Sequence, residues 1–264
     1  MLNILFWNLN RNDIEDYIAE CIGEHEIDIA VFAEYEGVKF PSLERKLGGK
    51  YTRITGIESD KKVTLVAKKT LAIRKVQTTN RYNLYSFDTG VKKYILAGVH
   101  LQDIRNYSAA DREATIRDLK SNIEKNEDSF KCTNSIVIGD FNANPFGHEL
   151  TSVHGFNAVL YRDIIEKSDT NKFEDMIYKR FYNPILHYIS EETKMYGSLY
   201  NTTNDDTKYW YCLDQILVRK ELANSIKNMQ YLRKINAQNL IKSVAPKRNI
   251  SDHLPLVVCL EETK

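Results

Sequence analysis

The sequence predicts a mixed α/β fold in which two mostly antiparallel sheets pack face to face and helices lie outside them. Strand-like and helix-like segments are mixed throughout the 264 residues. Four strand-like segments follow one another closely between residues 64 and 99, a spacing that favours antiparallel sheet. Each sheet needs its outer face covered, which places the helices outside. Because the sequence contains neither a flexible linker nor a repeat, we expect one domain over residues 1–264.

The first hundred residues supply most of the predicted strands. Leu2–Trp7 is expected as a strand, Ile14–Ile22 as a helix with apolar residues at helical spacing, and Asp28–Ala33 as a buried strand. The four successive strands that follow are Thr64–Ala67, Leu71–Val76, Tyr82–Phe87 and Tyr94–Val99.

A helix is predicted after Tyr107. Ser108 is a suitable N-cap with Asp111 at the capping-box position, and apolar residues beyond it form a buried stripe. The later segments are expected as a strand, a mostly helical stretch and two strands: Ser135–Ile138, Phe173–Ile189, Trp210–Val218 and Leu254–Leu260.

Composition excludes several classes of protein. The apolar fraction of 42% is enough for a large core, and the net charge of +1 gives no global field that would hold nucleic acid. Short basic runs such as Lys61-Lys62 are more often solvated edges than binding surfaces. The four cysteines are widely spaced, so neither a structural zinc site nor a redox motif is indicated.

Targeting signals are also missing from the pattern. The N-terminal apolar run ends at Trp7, which is too short for a signal-peptide core, and no run approaches the roughly 20 apolar residues of a membrane helix. We therefore expect a cytoplasmic protein that does not insert into membranes, although export by a specialised route would leave no such trace.

Polar residues recur where apolar, strand-like runs end or are interrupted, and together they predict a functional site. Carboxylates, amides and imidazoles that meet at one end of a buried sheet can form a metal-dependent site that cleaves phosphoesters. The motifs are Trp7-Asn8, Ala33-Glu34, Val99-His100, Gly139-Asp140-Phe141-Asn142, Leu213-Asp214-Gln215 and Ser251-Asp252-His253-Leu254-Pro255.

Each motif is weaker alone than in combination. Glu34 ends an apolar run, where an unpaired charge would be costly unless it met a cation, yet a strand-end glutamate entering solvent is the commoner case. Gly139 would permit a sharp turn after a buried strand, from which Asp140 and Asn142 project. Asp214 is available to hold the imidazole of His253 in one tautomer.

In this order the motifs resemble those of the endonuclease/exonuclease/phosphatase superfamily. Its members include deoxyribonuclease-I-like nucleases, abasic-site endonucleases, inositol-polyphosphate phosphatases and sphingomyelinases. The motifs extend from residue 8 to residue 255, nearly the whole chain. The resemblance implies a four-layered α/β/β/α sandwich and metal-dependent hydrolysis of phosphodiesters or phosphomonoesters, without specifying a substrate.

The resemblance also implies a metal site. Glu34 would be the principal ligand of Mg²⁺ or Mn²⁺, with Asn8 beside it and Asp252 on the opposite flank of the pocket. Such cations take oxygen ligands and keep several waters, so two carboxylates and an amide would suffice.

Catalytic roles follow from the same resemblance. Asp140 would orient and deprotonate the attacking water, and Asn142 would hold that water or a phosphate oxygen. His253, steadied by Asp214, would stabilise the charge that develops on the phosphoryl oxygens. His100 would act near the leaving oxygen as general acid, although some members of the superfamily have no histidine there.

Three functions remain open from the sequence. The first is a nuclease or phosphodiesterase acting on DNA, RNA or a nucleotide conjugate. The second is a phosphatase acting on a small phosphorylated metabolite or lipid headgroup, which the near-neutral charge permits. The third is a catalytically silent binding module, disfavoured because every expected acid, amide and imidazole is present. The sequence does not specify the oligomeric state.

Substrate-binding residues are not identified by the motifs. We expect substrate choice to depend on the segment Phe156–Thr207, which lies between two catalytic motifs. His148 follows a loop that should border the site and is a candidate substrate contact. Several aromatic residues before Asp214 could stack on bases, but an aromatic-rich sheet is the favoured interpretation. They are Tyr196, Tyr200, Tyr209, Trp210 and Tyr211.

Overall fold

The computed structural model describes residues 1–103, 105–201 and 208–262. The strands are β1 (Leu2–Asn8), β2 (Ile29–Ala33), β3 (Tyr51–Arg53), β4 (Val63–Lys68), β5 (Arg74–Thr78), β6 (Tyr82–Asp88), β7 (Lys93–His100), β8 (Ser135–Asp140), β9 (Ala158–Val159), β10 (Thr170–Phe173), β11 (Met176–Lys179), β12 (Phe181–Tyr182), β13 (Leu199–Tyr200), β14 (Trp210–Tyr211), β15 (Asp214–Val218), β16 (Ile226–Tyr231), β17 (Lys234–Ile235), β18 (Gln238–Asn239), β19 (Ile241–Lys242), β20 (Ala245–Pro246) and β21 (Leu256–Leu260). The helices are α1 (Glu15–Glu24), α2 (Phe40–Lys46), α3 (Ala109–Phe130), α4 (His148–Thr151), α5 (Arg162–Lys167), α6 (Ile185–Tyr188) and α7 (Lys220–Ala223).

Two large sheets form the centre of the molecule. The first has six strands in the order β16-β21-β1-β2-β4-β3, and its neighbours are antiparallel except for β1 and β2. The second has seven strands in the order β5-β6-β7-β8-β15-β12-β9, with parallel pairing between β7 and β8 and between β12 and β9. The expectation of two mostly antiparallel sheets is confirmed.

The sheets pack face to face, as the close contact at Gly98 of β7 demonstrates. A Cβ atom at Gly98 would lie 2.8 Å from a methyl group of Val31 and 2.9 Å from one of Val63, both on the opposite sheet. Helix α1 buries Ile18 against the first sheet, and α3 buries a stripe that includes Leu119 against the second. Helices therefore cover both outer faces, and the predicted four-layered α/β/β/α sandwich is confirmed.

The predicted start of α3 is confirmed in detail. The Oγ of Ser108 accepts a hydrogen bond from the backbone N–H of Asp111 at 3.2 Å, and the Asp111 carboxylate accepts one from the N–H of Ser108 at 2.8 Å. This reciprocal pair satisfies two donors that the first helical turn leaves without partners.

The helical prediction for Phe173–Ile189 is wrong. The segment instead contains a hairpin of β10 and β11, the short strand β12, and α6 as its single helical turn. Glu174 takes a left-handed conformation with φ of 51° at the hairpin tip, and Phe173 pairs with Met176 across it. Local turn geometry and strand pairing thus override an apolar spacing that also fits a helix.

Two other predicted strands differ in extent. Trp210–Val218 is interrupted at residues 212 and 213 and gives the separate strands β14 and β15. The strand expected at Leu71–Val76 begins later, at Arg74. Of the helices in the described part of the chain, none combines the length and the apolar character that a bilayer crossing requires.

Candidate functional site

Strand pairing brings the predicted site residues to one edge of the sandwich. In the second sheet Asp140, the last residue of β8, is the direct partner of His100 on β7 and of Asp214 on β15. In the first sheet β1 and β2 run parallel, so Asn8 and Glu34 leave the sheet at the same end. Residues scattered over two hundred positions therefore meet at the ends of five strands.

The last motif is fixed to the end of β1 by hydrogen bonds. The hydroxyl of Ser251 donates to the carbonyl of Asn8 at 2.6 Å and accepts from the N–H of His253 at 3.0 Å. The indole N–H of Trp7 donates to the carbonyl of His253 at 3.0 Å. These contacts explain why Trp7 and Ser251 accompany the polar residues of their motifs.

His253 and Asp214 form a buried pair. Nδ1 of His253 lies 2.8 Å from Oδ2 of Asp214, and the backbone N–H of Asp214 donates to the hydroxyl of Ser198 at 3.1 Å. Burial raises the pKa of Asp214, although the positive charge of His253 opposes this. For His253, burial lowers the pKa, but the charge and hydrogen bond of Asp214 outweigh it, so the pKa is raised overall. The Asp214 carboxylate therefore favours the charged form of the imidazole.

Asp140 lies where the polar side chains converge. Its Oδ2 accepts a hydrogen bond from the Asn8 amide at 3.1 Å, and Nε2 of His253 lies 4.0 Å from the same oxygen. Its Oδ1 accepts from the backbone N–H of Asn142 at 2.9 Å. These contacts hold the carboxylate in one orientation, with Oδ2 toward Asn8 and the two imidazoles.

His100 lies between two acidic side chains. Its Nε2 is 3.7 Å from Oε1 of Glu34 and 3.9 Å from Oδ2 of Asp140. Burial lowers the pKa of His100, and the negative charges of Asp140 and Glu34 oppose that shift. Nδ1 of His100 is buried and has no hydrogen-bond partner within the described ranges. The ring therefore retains binding capacity that the protein itself does not use.

Two candidate residues adopt left-handed backbone conformations at their strand ends. Glu34 has φ of 47° and Asn142 has φ of 48°. The conformation is tolerated by asparagine but uncommon for glutamate. The carbonyl of Glu34 accepts a hydrogen bond from the N–H of Arg11 at 2.9 Å, and Asn142 donates through Nδ2 to the carbonyl of Leu101 at 3.0 Å. Backbone strain of this kind is often found at functional sites.

Gly139 has a different reason for being glycine than the sequence suggested. It lies within β8, with φ of 156°, and the left-handed turn comes later, at Asn142. A Cβ atom on Gly139 would stand 2.1 Å from the carbonyl oxygen of Val99 on the neighbouring strand β7. Close approach of two backbones, rather than a sharp turn, requires the glycine.

The donor set matches a hard divalent cation. Glu34, Asn8 and Asp252 offer carboxylate and amide oxygens, the ligands that Mg²⁺ and Mn²⁺ prefer. A different trio, Asp140, Asp214 and His253, has potential ligand atoms within 4.8 Å of one another. We favour the first set, because Oδ2 of Asp214 and Nδ1 of His253 are already engaged with each other at 2.8 Å.

The metal ligands that the resemblance implies differ in the hydrogen bonds that they already make within the protein. The amide group of Asn8 directs its NH₂ to Asp140, while its Oδ1 accepts from the N–H of Asn10 at 3.1 Å. Asp252 is half-buried and close enough for its charge to help raise the pKa of His253. Oδ1 of Asp214 is also buried and has no hydrogen-bond partner among the described residues, so it is free to accept one from a ligand.

Two residues beside the site have no role assigned from the sequence: Arg105, which lies outside the motifs, and Gln215, which is part of one. Arg105 is ion-paired with Asp103 at 2.8 Å, and this bond, together with the charges of Asp252 and Glu34, raises its pKa. It therefore brings an exposed positive charge to the rim of an acidic cluster. Gln215 is fully buried and donates through Nε2 to the carbonyl of Ala143 at 2.7 Å, which fixes the loop that carries Asn142.

The candidate substrate contacts differ in their distance from the site. His148 is exposed and paired with Glu113 at 2.9 Å. Within the aromatic group, the rings of Tyr209 and Tyr211 lie 4.2 Å apart, and Leu199 of the same hairpin forms a bridge with His253. This hairpin therefore borders the site. In the segment Phe156–Thr207, residues 202–207 lie outside the described ranges.

Neither a family model nor a curated protein matches the sequence. Solved structures match its fold over the whole chain. The endonuclease domain of TRAS1, a telomere-specific non-LTR retrotransposon, is 12% identical with a TM-score of 0.59, covering 100% of both chains. D. rerio TDP2 complexed with a single strand DNA product is 14% identical with a TM-score of 0.61, covering 98% of both.

Two matches come from Bacteroides thetaiotaomicron. Its mannosyl-6-phosphatase is 15% identical with a TM-score of 0.61, over 99% of this chain and 100% of that one. An endonuclease/exonuclease/phosphatase family protein is 14% identical with a TM-score of 0.59, over 97% and 96%. Shared architecture over nearly the whole of each compared chain bears out, at the level of the fold, the resemblance stated from the motifs: this chain has the deoxyribonuclease-I-like fold.

Proposed function

We propose that this protein is a divalent-metal-dependent phosphoester hydrolase, specifically a nuclease or phosphodiesterase that cleaves DNA, RNA or a nucleotide conjugate. The observation that carries the proposal is the convergence on Asp140. One of its oxygens meets the amide of Asn8 at 3.1 Å and lies about equally far from two imidazoles, at 3.9 Å from His100 and 4.0 Å from His253. Acid, base and hydrogen-bond donors thus face one small volume.

Glu34, Asn8 and Asp252 are proposed to hold the metal. Mg²⁺ or Mn²⁺ bound there would neutralise phosphate charge and activate water. Hard oxygen donors support this assignment, and so does the position of Glu34, whose Oε1 lies 3.7 Å from Nε2 of His100.

Asp140 is proposed as the group that takes the proton from the attacking water. Its hydrogen bonds from Asn8 and from the N–H of Asn142 fix the carboxylate, so no reorientation is needed when the water arrives. The side chain of Asn142 is tied to the carbonyl of Leu101 at 3.0 Å, which fixes the loop beside the attacking position. Positioning of this kind lowers the entropic part of the barrier.

His253 is proposed to stabilise the phosphoryl oxygens. Because its Nδ1 is engaged by Asp214, its Nε2–H is the donor that faces the site, and the raised pKa keeps the ring positively charged. A fixed positive donor stabilises negative charge that develops on oxygen in the transition state. In-line displacement by water then needs no covalent enzyme intermediate.

His100 is proposed as general acid at the leaving oxygen. Burial lowers its pKa, which on its own would leave the ring neutral. The metal proposed on Glu34 would offset the charge of that carboxylate, whereas Asp140 and a bound phosphate would each add negative charge beside the ring and favour the imidazolium. The proton would thus be present when the leaving oxygen requires it.

A second candidate function is hydrolysis of a small phosphomonoester. The similarity to a mannosyl-6-phosphatase, at 15% identity, supports this class. The similarity to TDP2 complexed with a single strand DNA product supports the nucleic-acid class. A silent binding module would not need the complete set of acids, amides and imidazoles that this site retains.

The test is hydrolysis of a substrate panel with Mg²⁺ or Mn²⁺. The panel contains single-stranded DNA, duplex DNA, RNA, cyclic dinucleotides and phosphomonoesters. Glu34→Ala is compared with Glu174→Ala, since Glu174 is an exposed glutamate with a similar φ of 51°. His253→Ala is compared with His187→Ala, an exposed histidine.

Each outcome decides between the functions. Cleavage of a polynucleotide that Glu34→Ala and His253→Ala abolish, while the control variants retain it, would support the proposal. Hydrolysis of phosphomonoesters alone would replace it by the phosphatase. Turnover without added metal in EDTA would overturn the metal assignment.

A further inference from the structure

A cleft of about 740 Å³ opens beside the catalytic cluster. Its wall is continuous with His100, because the carbonyl of Arg81 in the cleft accepts a hydrogen bond from the N–H of His100 at 2.8 Å. Gln102, two residues beyond His100, also lines it. The volume lies within the range of roughly 300–1,000 Å³ that small ligands occupy. The cleft therefore lies next to the strand end that carries His100.

The charges that line the cleft favour an anion. Lys61, Lys62 and Arg81 contribute three positive charges and Asp118 one negative charge. The carboxylate of Asp118 also accepts a hydrogen bond from the hydroxyl of Tyr82 at 2.5 Å, which occupies part of its capacity. A net positive surface beside a phosphate-cleaving centre matches a second phosphate group.

The two lysines lie on an anchored loop. Asp60, which precedes them, accepts hydrogen bonds from Arg53 at 2.8 Å, Thr64 at 2.6 Å and Lys75 at 2.6 Å. Its side chain is almost fully buried. The backbone that carries the lysines is therefore fixed, and less conformational freedom is lost when they bind a ligand.

The cleft also has a flat aromatic surface. The ring of Tyr107 is 45% exposed, and the guanidinium of Arg81 lies 4.8 Å from its centroid. Rings of this kind, supported by arginine, are surfaces on which nucleobases stack. A sugar phosphate would leave this surface unused.

Gln102 has an acceptor without a partner. The residue is 8% exposed, and its Nε2 donates to the hydroxyl of Thr115 at 2.6 Å. Its Oε1 is buried and makes no hydrogen bond to any residue that the structure describes. A buried acceptor left unpaired is unfavourable, so an N–H or O–H of a ligand would relieve it.

We propose that this cleft binds the nucleotide next to the scissile phosphate of a single-stranded DNA or RNA substrate. Its phosphate lies on Lys61 and Lys62, its base stacks on Tyr107, and a base N–H or sugar O–H donates to Gln102. Single strands are favoured because the faces of paired bases are already stacked in a duplex. This assignment rests on the proposed function, since it names the substrate class of the same site.

The test is binding of fluorescently labelled single strands of about ten nucleotides, measured by anisotropy in EDTA so that metal-dependent cleavage cannot interfere. Lys62→Ala is compared with Lys69→Ala, an exposed lysine just beyond the opposite end of strand β4. Tyr107→Ala is compared with Tyr161→Ala, a tyrosine that is 61% exposed and does not line the cleft. Thermal unfolding of each variant confirms that it is folded.

The expected result separates the cleft from the rest of the surface. Lys62→Ala lowers the slope of log affinity against log salt by about 0.7, the contribution of one phosphate contact on a single strand. Tyr107→Ala weakens binding about tenfold, as expected for loss of one stacked base. Lys69→Ala and Tyr161→Ala leave both quantities unchanged. Comparison of DNA with RNA identifies the sugar preference.

The proposal is overturned if the wild type binds neither strand, or if both cleft variants bind as the wild type does. Failure of the proposed function gives a different pattern. A strand that binds through the cleft but is not cleaved with Mg²⁺ or Mn²⁺ would leave this assignment intact and remove the nuclease. Cleavage of the strand by the wild type, with unchanged affinity in both cleft variants, would support the nuclease and remove the cleft assignment.

Discussion

The two ends of the strand pair β8 and β15 both carry buried charged groups. At one end these groups have all their hydrogen-bond partners, and at the other end some of them do not. At one end, Glu127 accepts hydrogen bonds from Ser135 at 2.7 Å, from Arg219 at 2.7 Å and from Lys179 at 3.2 Å. At the other end, Asp140 and Asp214 face His253 and His100. The same pair of strands therefore presents two charged clusters for comparison.

The clusters differ in what they leave unpaired. The Glu127 cluster satisfies both carboxylate oxygens, and the guanidinium of Arg219 also packs 3.9 Å from the ring centroid of Phe181. At the site, Oδ1 of Asp214 and Nδ1 of His100 are buried without partners in the described part of the chain. A satisfied buried network stabilises the fold, whereas an unsatisfied one indicates a place reserved for a ligand.

The largest effect should come from Glu34→Gln at the incomplete end. Turnover is expected to fall at least about a thousandfold, because a charged ligand at the reacting phosphate is lost. The free energy of unfolding in EDTA should stay the same or rise, since one of several clustered negative charges is removed. Turnover and urea unfolding check both parts, and a strongly destabilised variant would contradict the comparison.

Arg219→Met tests the complete end. Removing the guanidinium leaves Glu127 buried with less compensation, so the free energy of unfolding should fall by about 3–5 kcal/mol. Turnover per folded molecule should remain near that of the wild type, because Arg219 lies at the far end of β15 from Asp214. Chemical denaturation and an activity assay corrected for the folded fraction measure the two quantities. Loss of activity without loss of stability would reverse the roles assigned to the clusters.

Asp214→Asn should give a smaller and pH-dependent loss of turnover, about a hundredfold at pH 8. Without the carboxylate, the pKa of His253 falls toward its ordinary value of about 6.5, so the imidazolium is lost as pH rises above that value. The variant should therefore recover part of its activity below pH 6.5, relative to the wild type. Equal pH profiles for the two proteins would show that Asp214 does not set the charge of His253.

Lys120 sharpens the comparison, because it lies on α3 two turns before Glu127 but outside the satisfied cluster. Burial lowers its pKa to about 8, although Glu124 opposes the shift, and its Nζ reaches the carbonyl of Val153 at 3.3 Å. In the folded state this lysine loses its proton near pH 8, whereas the unfolded chain keeps it to about pH 10.4. The unfolded state thus binds more protons in that window, and stability should rise with pH.

Lys120→Met removes this dependence. Between pH 8 and pH 10 the wild type should gain about 1–2 kcal/mol relative to the variant. Urea unfolding at several pH values measures the difference and cancels titrations that the two proteins share. Parallel stability curves would show that Lys120 stays charged in the folded protein.

The candidate residues were easier to recognise from the sequence than the exact extent of the elements around them. Asn8 and Asp140 stand where apolar runs stop, and Asp214 interrupts one, so these positions were recognisable from the apolar pattern. The structure brings these residues together, while their roles remain proposals. The hairpin of β10 and β11 was missed because its apolar spacing also fits a helix, and only pairing across the turn at Glu174 decides the matter.

Other features depend on contacts that no local pattern encodes. Gly139 was expected at a turn, yet the backbone of Val99 on another strand is what excludes a side chain there. Arg105 lies near Asp252 and Glu34, which are distant in sequence, and Gln102 has a buried acceptor without a partner among the described residues. Neither feature is visible before the chain is folded. Long-range register is set by the whole sheet, and a single sequence records it weakly.

The pairing of β1 with β21 has a consequence for the synthesis of the protein. Trp7 and His253 are 246 positions apart and yet share a hydrogen bond, so the first strand must wait for the last before the site closes. Contacts of such long range form late, because the intervening chain must be ordered first. A nascent chain whose last strand, β21, is still inside the ribosome would have Glu34 and Asp140 in place but not His253. The site would then be incomplete until synthesis ends.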